Sequence, residues 1–204
     1  EQAYTHPHIV QVRCPITRIV DGQIKHGEGR GTAWRISRGR FVSVDHVTRA
    51  GTCTINGKPV IIEHSDPFGD FSIVRAEDDV EGGIPLNCNG FYHGYHYYSV
   101  GFARGNPQSV AITIRANKLF PNFFAQWQIF TGIETVIPGM SGGPVLNARG
   151  EAVGAVNALN KGNYDEVING TIAAYRAKRA PHMVQIYERG FMTMLLSDAV
   201  VPVH

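Results

Sequence analysis

The run Pro138 to Val145 reads Pro-Gly-Met-Ser-Gly-Gly-Pro-Val and sets one serine, Ser141, among glycines. A serine hydroxyl is a weak nucleophile and has to stand on a tight, accessible turn to meet both a base and a substrate. Glycines on either side permit that turn. They also leave the backbone N–H groups of Gly139 and Ser141 able to face a developing oxyanion. The bland alternative is a glycine-rich turn between strands, and the Gly-Pro-Val that follows argues against it. The chemistry on offer is acyl transfer through a serine ester.

Such a serine needs a base. The strand-like run Phe41 to Val44 leads through Asp45 to His46, where a histidine at a strand end is the ordinary structural reading. Asp70 opens the apolar run Phe71 to Val74, and an acid there is costly to bury unless paired. Together they supply base and orienting acid in the order His46, Asp70, Ser141. Asp45 and Asp66 are the other acids near the histidine. On a strand, Asp45 would point away from its neighbour, and Asp66 before Pro67 reads as a turn. A nucleophile elbow of the α/β-hydrolase kind requires a helix directly after the serine, with acid and histidine later in the chain. Here Pro144 to Gly150 reads as a short strand and a turn, so the elbow fails on context.

The elements that must carry these residues are short. Over 204 residues, apolar-alternating runs recur between Gly, Pro, Asn and Asp: Gly31–Ile36, Arg40–Val44, Gly57–Ile62, Asp70–Val74, Tyr97–Phe102, Ser109–Arg115, Gln126–Phe130, Gly143–Leu146, Ala152–Val156 and Gly170–Ala174. Strand-sized runs at this interval predict an all-β barrel or sandwich. Turn chemistry stands at Asn56-Gly57, Asp66-Pro67 and Arg149-Gly150. Twenty-three glycines and 18% charged residues fit a turn-rich β protein better than a helix bundle. The one helical pattern is the tail, where Met183, Ile186, Tyr187, Met194 and Leu195 line a face broken by Gly190. A seam between two halves is expected over Asn87 to Gly94. A net charge of +2 points to no nucleic acid, and no apolar run is long enough to span a bilayer. Cys14, Cys53 and Cys88 match no zinc spacing, and free thiols are expected in preference to a single disulfide. A first residue other than Met fits a trimmed chain or a segment cut from a longer precursor.

With this order of residues and Gly-x-Ser-Gly-Gly-Pro-Val at the last, the chain resembles the trypsin/chymotrypsin family from about Gly31 to Ala174. The resemblance implies two packed six-stranded antiparallel β-barrels, here residues 1–90 with His46 and Asp70 and residues 91–180 with Ser141, followed by a helical tail over 181–204. It implies a serine endopeptidase with catalytic His46, Asp70 and Ser141, an oxyanion hole at Gly139 and Ser141, and no metal or cofactor. The partner it implies is a polypeptide bound as an extended strand along Asn157, Ala158 and Leu159. Thr135 would lie at the pocket floor and Gly170 on its wall, and no carboxylate at Thr135 disfavours Lys or Arg at the cut.

The sequence departs from the pattern at the histidine. Val44-Asp45-His46-Val47 replaces the family's Ala-Ala-His-Cys, which removes the disulfide beside the base. Arg18 to Gly22 resembles the activation cleavage site of digestive proteases, but Met140 stands where those enzymes carry the acid that captures the new amine. Cleavage there is therefore not expected to be needed. The compact spacing resembles polyprotein-processing proteases of positive-strand RNA viruses, acting in the infected cytoplasm. A secreted bacterial protease is the alternative. An esterase with the same triad and a non-catalytic peptide-binding double barrel are the remaining rivals.

Overall fold

A computed structural model describes residues 2–4, 6–66, 71–87, 96–105, 109–121, 126–131, 139–159 and 191–195. It is mostly β. One sheet has the order β6-β5-β2-β3-β4-β8-β7. Its strands are β2 (Ile9–Val20), β3 (Gln23–Ser37), β4 (Arg40–Ser43), β5 (Thr54–Ile55), β6 (Lys58–Pro59), β7 (Ile61–Asp66) and β8 (Phe71–Arg75). The other has the order β1-β10-β11-β14-β13-β12-β9. It comprises β1 (Gln2–Tyr4), β9 (His96–Gly101), β10 (Ser109–Pro121), β11 (Gln126–Thr131), β12 (Pro144–Leu146), β13 (Ala152–Leu159) and β14 (Phe191–Leu195). Every pairing within the two sheets is antiparallel.

In the second sheet β9 also pairs with β10, so the order returns on itself. In the first, β6 and β7 are edges among the described residues. Six strands of the second sheet, β9 to β14, therefore close into an antiparallel ring with β1 outside it, while the first sheet is open among the described residues, so the expected second six-stranded barrel is not seen there. Two further expectations are corrected. Residues 191–195 of the tail are a strand between β11 and β13, not helix, because both neighbours offer them backbone partners that a short apolar run cannot announce in advance. Residues 2–4 leave the first sheet and pair with β10. The helical reading of 181–190 and 196–204 and the seam over 88–94 lie outside the described residues, as does the run Gly170–Ala174.

The alternation of the sequence has a physical counterpart in burial. Val10, Val12 and Cys14 of β2 point inward, with Ala33, Phe41, Val74 and Ile55 from neighbouring strands. Ala155 of β13 joins this same cluster, so the two sheets share apolar contact. The link after β8 stitches them further. Ile84 donates its N–H to the Arg35 carbonyl of β3, Asn87 donates to the Ala152 carbonyl of β13, and the Ala152 N–H donates back to the Pro85 carbonyl.

Beneath this runs a buried ion pair. Arg35 is 1% exposed and grips Asp78 with two bonds of 2.6 and 2.8 Å. Burial pushes the Asp78 carboxyl up, but the Arg35 bonds, the N–H groups of Gly39 and Val80 and the guanidinium charge outweigh it and hold the group at about 2.

The cysteine expectation also fails. Cys14 and Cys53 form a disulfide, with Cα atoms 4.1 Å apart. Antiparallel pairing of Val12 with Ile55 and Arg13 with Thr54 makes Cys14 and Cys53 the next opposed pair. That register is a property of the folded sheet, and a sequence separation of 39 conceals it. Cys88 lies outside the described residues.

Candidate active site

His46 sits on a single helical turn, α1 (Asp45–Thr48), rather than at a strand end. Four residues cannot hold a helix by their own hydrogen bonds, and Val44 at its start offers no side-chain cap. Tertiary anchors hold it instead. Asp45 is buried, takes a hydrogen bond from Ser65 of β7 and pairs with Arg49 at 3.2 Å. The Thr48 hydroxyl donates to Ser72 of β8 at 3.1 Å. Cys14 Sγ lies 3.3 Å from the Val47 carbonyl oxygen and Cys53 Sγ 3.4 Å from that of Thr48. A disulfide sulfur has no proton to donate, so these are packing contacts. With Asp45, Val47 and Thr48 inward, His46 is left as the exposed residue of the turn.

The helical turn also corrects the strand argument about Asp45. This acid is turned toward Ser65 and Arg49 because the backbone is helical, not because side chains alternate. Asp70 lies outside the described residues. Its neighbours are placed: Asp66 pairs with Phe71 at the end of the β7–β8 hairpin, and Ser72, two residues past Asp70, is the one bonded to α1.

The serine turn is clamped between the two sheets. Thr32 of β3 donates its N–H to the Ser141 carbonyl at 2.8 Å and its hydroxyl to the Gly139 carbonyl at 2.8 Å. The same hydroxyl accepts the Phe102 N–H at 3.0 Å. On the other side Gly142 donates to Val156 of β13 at 2.7 Å, and Val156 donates back to Gly143 at 2.9 Å. Gly142 has φ +91°, and a Cβ there would overlap the Thr32 carbonyl oxygen and the Ser43 hydroxyl. Only glycine fits. Among the described residues no acceptor pairs with the N–H of Gly139 or Ser141.

Gly31 joins the two halves. A Cβ on it would stand 2.5 Å from a Val47 methyl and 3.2 Å from the Ser141 carbonyl oxygen. One bare backbone position therefore touches both the helix that carries His46 and the turn that carries Ser141.

This arrangement of sheets is shared with solved proteases. Rv3671c protease from Mycobacterium tuberculosis, in its active form, superposes with a TM-score of 0.62 at 18% identity, covering 90% of this chain and 83% of that one. The chain has a chymotrypsin-like serine protease fold. The HtrA-type protease AlgW, crystallised with a tripeptide, gives 0.63 at 16% identity over 93% of this chain and 56% of its own. Deg5 gives 0.60 at 17% identity over 76% and 80%. No family model matches the chain. The sn-glycerol-3-phosphate-binding periplasmic protein of Pectobacterium atrosepticum is 50% identical over 44 residues, and that of Yersinia pestis 46% over 44. The chain spans about a tenth of the length of these relatives.

Within the chymotrypsin-like fold, the expected substrate strand Asn157, Ala158 and Leu159 is the end of β13. Its ladder to β12 stops at Ala155, and Val156 bonds the serine turn. Beyond that, Ala158 and Leu159 pair with β14 alone among the described residues. Thr135 and Gly170 lie outside the described residues. What the sequence reading missed is the set of anchors under α1. Thr48, Ser65 and Ser72 have polar side chains but no spacing that marks them.

Proposed function

We propose that this chain is a serine endopeptidase, with Ser141 as nucleophile, His46 as general base and Asp70 orienting the imidazole. The observation that carries the reading is Gly31, in contact with the helix of His46 on one side and the Ser141 carbonyl on the other. His46 takes the hydroxyl proton as Ser141 attacks a peptide carbonyl, the amine leaves with that proton, and water hydrolyses the acyl-enzyme. The N–H groups of Gly139 and Ser141 are the oxyanion donors. A polypeptide adds as a strand beyond Val156, on the edge of β13 that is unpaired among the described residues, with Thr135 and Gly170 completing the pocket. Neither metal nor cofactor enters these steps.

Of the two settings expected, a bacterial protease and a polyprotein-processing protease fit the shared fold equally. The test is labelling by a fluorophosphonate probe. Wild-type chain is expected to label at Ser141, while Ser141→Ala and His46→Ala are expected to lose labelling, and Asp70→Asn to slow it at least a hundredfold. A folded wild type that leaves the probe untouched would establish the non-catalytic peptide-binding barrel instead. Labelling accompanied by ester but no peptide turnover would establish the esterase.

A further inference from the structure

Strands β2 and β3 are longer than the sheet needs. From Pro15 to Glu28 they leave the core as a two-stranded ribbon, with Ile19 at 78% and Ile24 at 65% exposure opposite each other near the tip. The tip is Asp21-Gly22, with φ of 51° and 75°, so the run that resembles an activation cleavage site is a hairpin turn here. On one face the register sets Ile16 opposite Gly27, Arg18 opposite Lys25 and Val20 opposite Gln23. Ile16, Arg18, Val20, Lys25 and Gly27, with His26 and Glu28, line a groove of about 270 Å³.

Two features point to an acidic occupant. Arg18 and Lys25 are directly opposed, and like charges across a ladder repel. Neither has an ion-pair partner among the described residues. The one carboxylate on the lining, Glu28, is held by Arg30 at 2.7 Å and faces Arg13 at 3.9 Å. Apolar Ile16 and Val20 flank the cation pair, and Gly27 leaves a notch beside it.

The base of the ribbon is the site itself. The serine turn is bonded to β13 on one side and to Thr32 of β3 on the other. A substrate whose residues before the cut lie along 157–159 leaves Ser141 on the β3 side, where the ribbon rises. At about 3.3 Å per residue, Gly27 stands about 13 Å along β3 from Gly31, and Lys25 about 20 Å. We propose that the β2–β3 ribbon is a binding site for the substrate segment after the cut, selecting an acidic residue about four to six positions downstream. This rests on the endopeptidase reading.

The test uses pairs of peptides with identical residues before the cut and eight after it, carrying Glu or Lys at downstream positions four to six. Wild type is expected to prefer the Glu peptide at least tenfold in kcat/KM, and Arg18→Glu with Lys25→Glu to abolish or invert that ratio. Lys58→Glu, a same-sign change on β6, is expected to keep it. Fluorescence anisotropy of the labelled Glu peptide on Ser141→Ala reads binding without turnover. The affinity should fall at least tenfold on adding the two ribbon reversals, and also with added salt. Equal use of both peptides, or binding indifferent to the reversals, overturns the ribbon site. Binding that follows the ribbon charges without any fluorophosphonate labelling overturns the protease reading and leaves an acidic-peptide site standing.

Discussion

Gly31 has no turn to make, so its lack of a side chain is a matter of space. The atoms a Cβ would strike are the two methyls of Val47, a β-branched residue with little rotamer freedom. Gly31→Ala is therefore expected to move α1 rather than be absorbed. Overpacking of this kind costs about 1–3 kcal/mol, and a shift of about 1 Å at a base can cost about a hundredfold in rate. The expected result is fluorophosphonate labelling slowed at least tenfold in a chain that still folds. Because the clash is with methyls, Val47→Ala added to Gly31→Ala should recover much of the lost rate, and a double-mutant cycle should show coupling above about 1 kcal/mol. Independent, additive effects would mean that Gly31 does not set the distance between the proposed base and nucleophile. Ser141 and His46 stand out in the sequence as candidates by residue type and order, since nucleophile chemistry demands a particular turn. The sequence showed Gly31 only as the first residue of a strand, because what makes that glycine necessary comes from 16 positions later, at Val47, and from the far side of the cleft.

At the scale of elements, alternation and turn chemistry were legible because they are local. Asn56-Gly57 adopts φ of 51° and 76°, as a two-residue hairpin turn requires. Asp21-Gly22 carries the same signal, obscured by its likeness to a cleavage site. Pairing between distant segments was not legible, which is why β14 and the Cys14–Cys53 bond emerged only from the folded chain. That bond has a use the resemblance did not supply. Val47 takes the place of the family's cysteine after the histidine, and the disulfide packs instead against the carbonyls of Val47 and Thr48 at the end of α1. By the chain-entropy account, closing a loop of about 40 residues stabilises the fold by about 4 kcal/mol. Cys14→Ala with Cys53→Ala is expected to lose about 2–4 kcal/mol in urea unfolding. Labelling of Ser141 should slow further than the folded fraction explains, because the disulfide packs directly against the Val47 and Thr48 carbonyls of α1. Loss of stability with unchanged labelling of the folded fraction would confine the disulfide to holding β2 against β5.

Across the whole molecule, the chain begins in one sheet and continues in the other. Residues 2–4 pair with β10, residues 9–20 are β2, and the strap between them crosses the face of the buried Arg35–Asp78 pair. Beside bonds through the Pro7 and His8 carbonyls, the strap has two hydrogen bonds that only neutral rings can make. Arg35 Nη1 lies 3.2 Å from His8 Nδ1, and a guanidinium can only donate, so that nitrogen must accept. The His8 backbone N–H donates to His6 Nδ1 at 3.0 Å, so that nitrogen must be bare as well. Burial, then the charge of Arg35, lowers the His8 pKa against an opposing pull from Asp78. Burial, then His8, lowers that of His6. A ring that binds a proton less readily when folded leaves the unfolded chain holding more protons below the ordinary value of about 6.5, so stability rises with pH through that window. The contribution of these two ring bonds is complete above about pH 6.5 and is lost as the pH falls through the lowered pKa values of the two rings. Asp78, at about 2, stays charged throughout and keeps its grip on Arg35, so acid weakens the strap before it weakens the ion pair beneath. Melting temperature is expected to fall between pH 7 and pH 5, by about 2–4 °C for each kcal/mol lost. His6→Asn with His8→Asn should flatten that slope, since the amide keeps an acceptor without a proton to gain. A slope that survives both substitutions would locate the acid sensitivity elsewhere and leave the strap a passive tie between the two sheets.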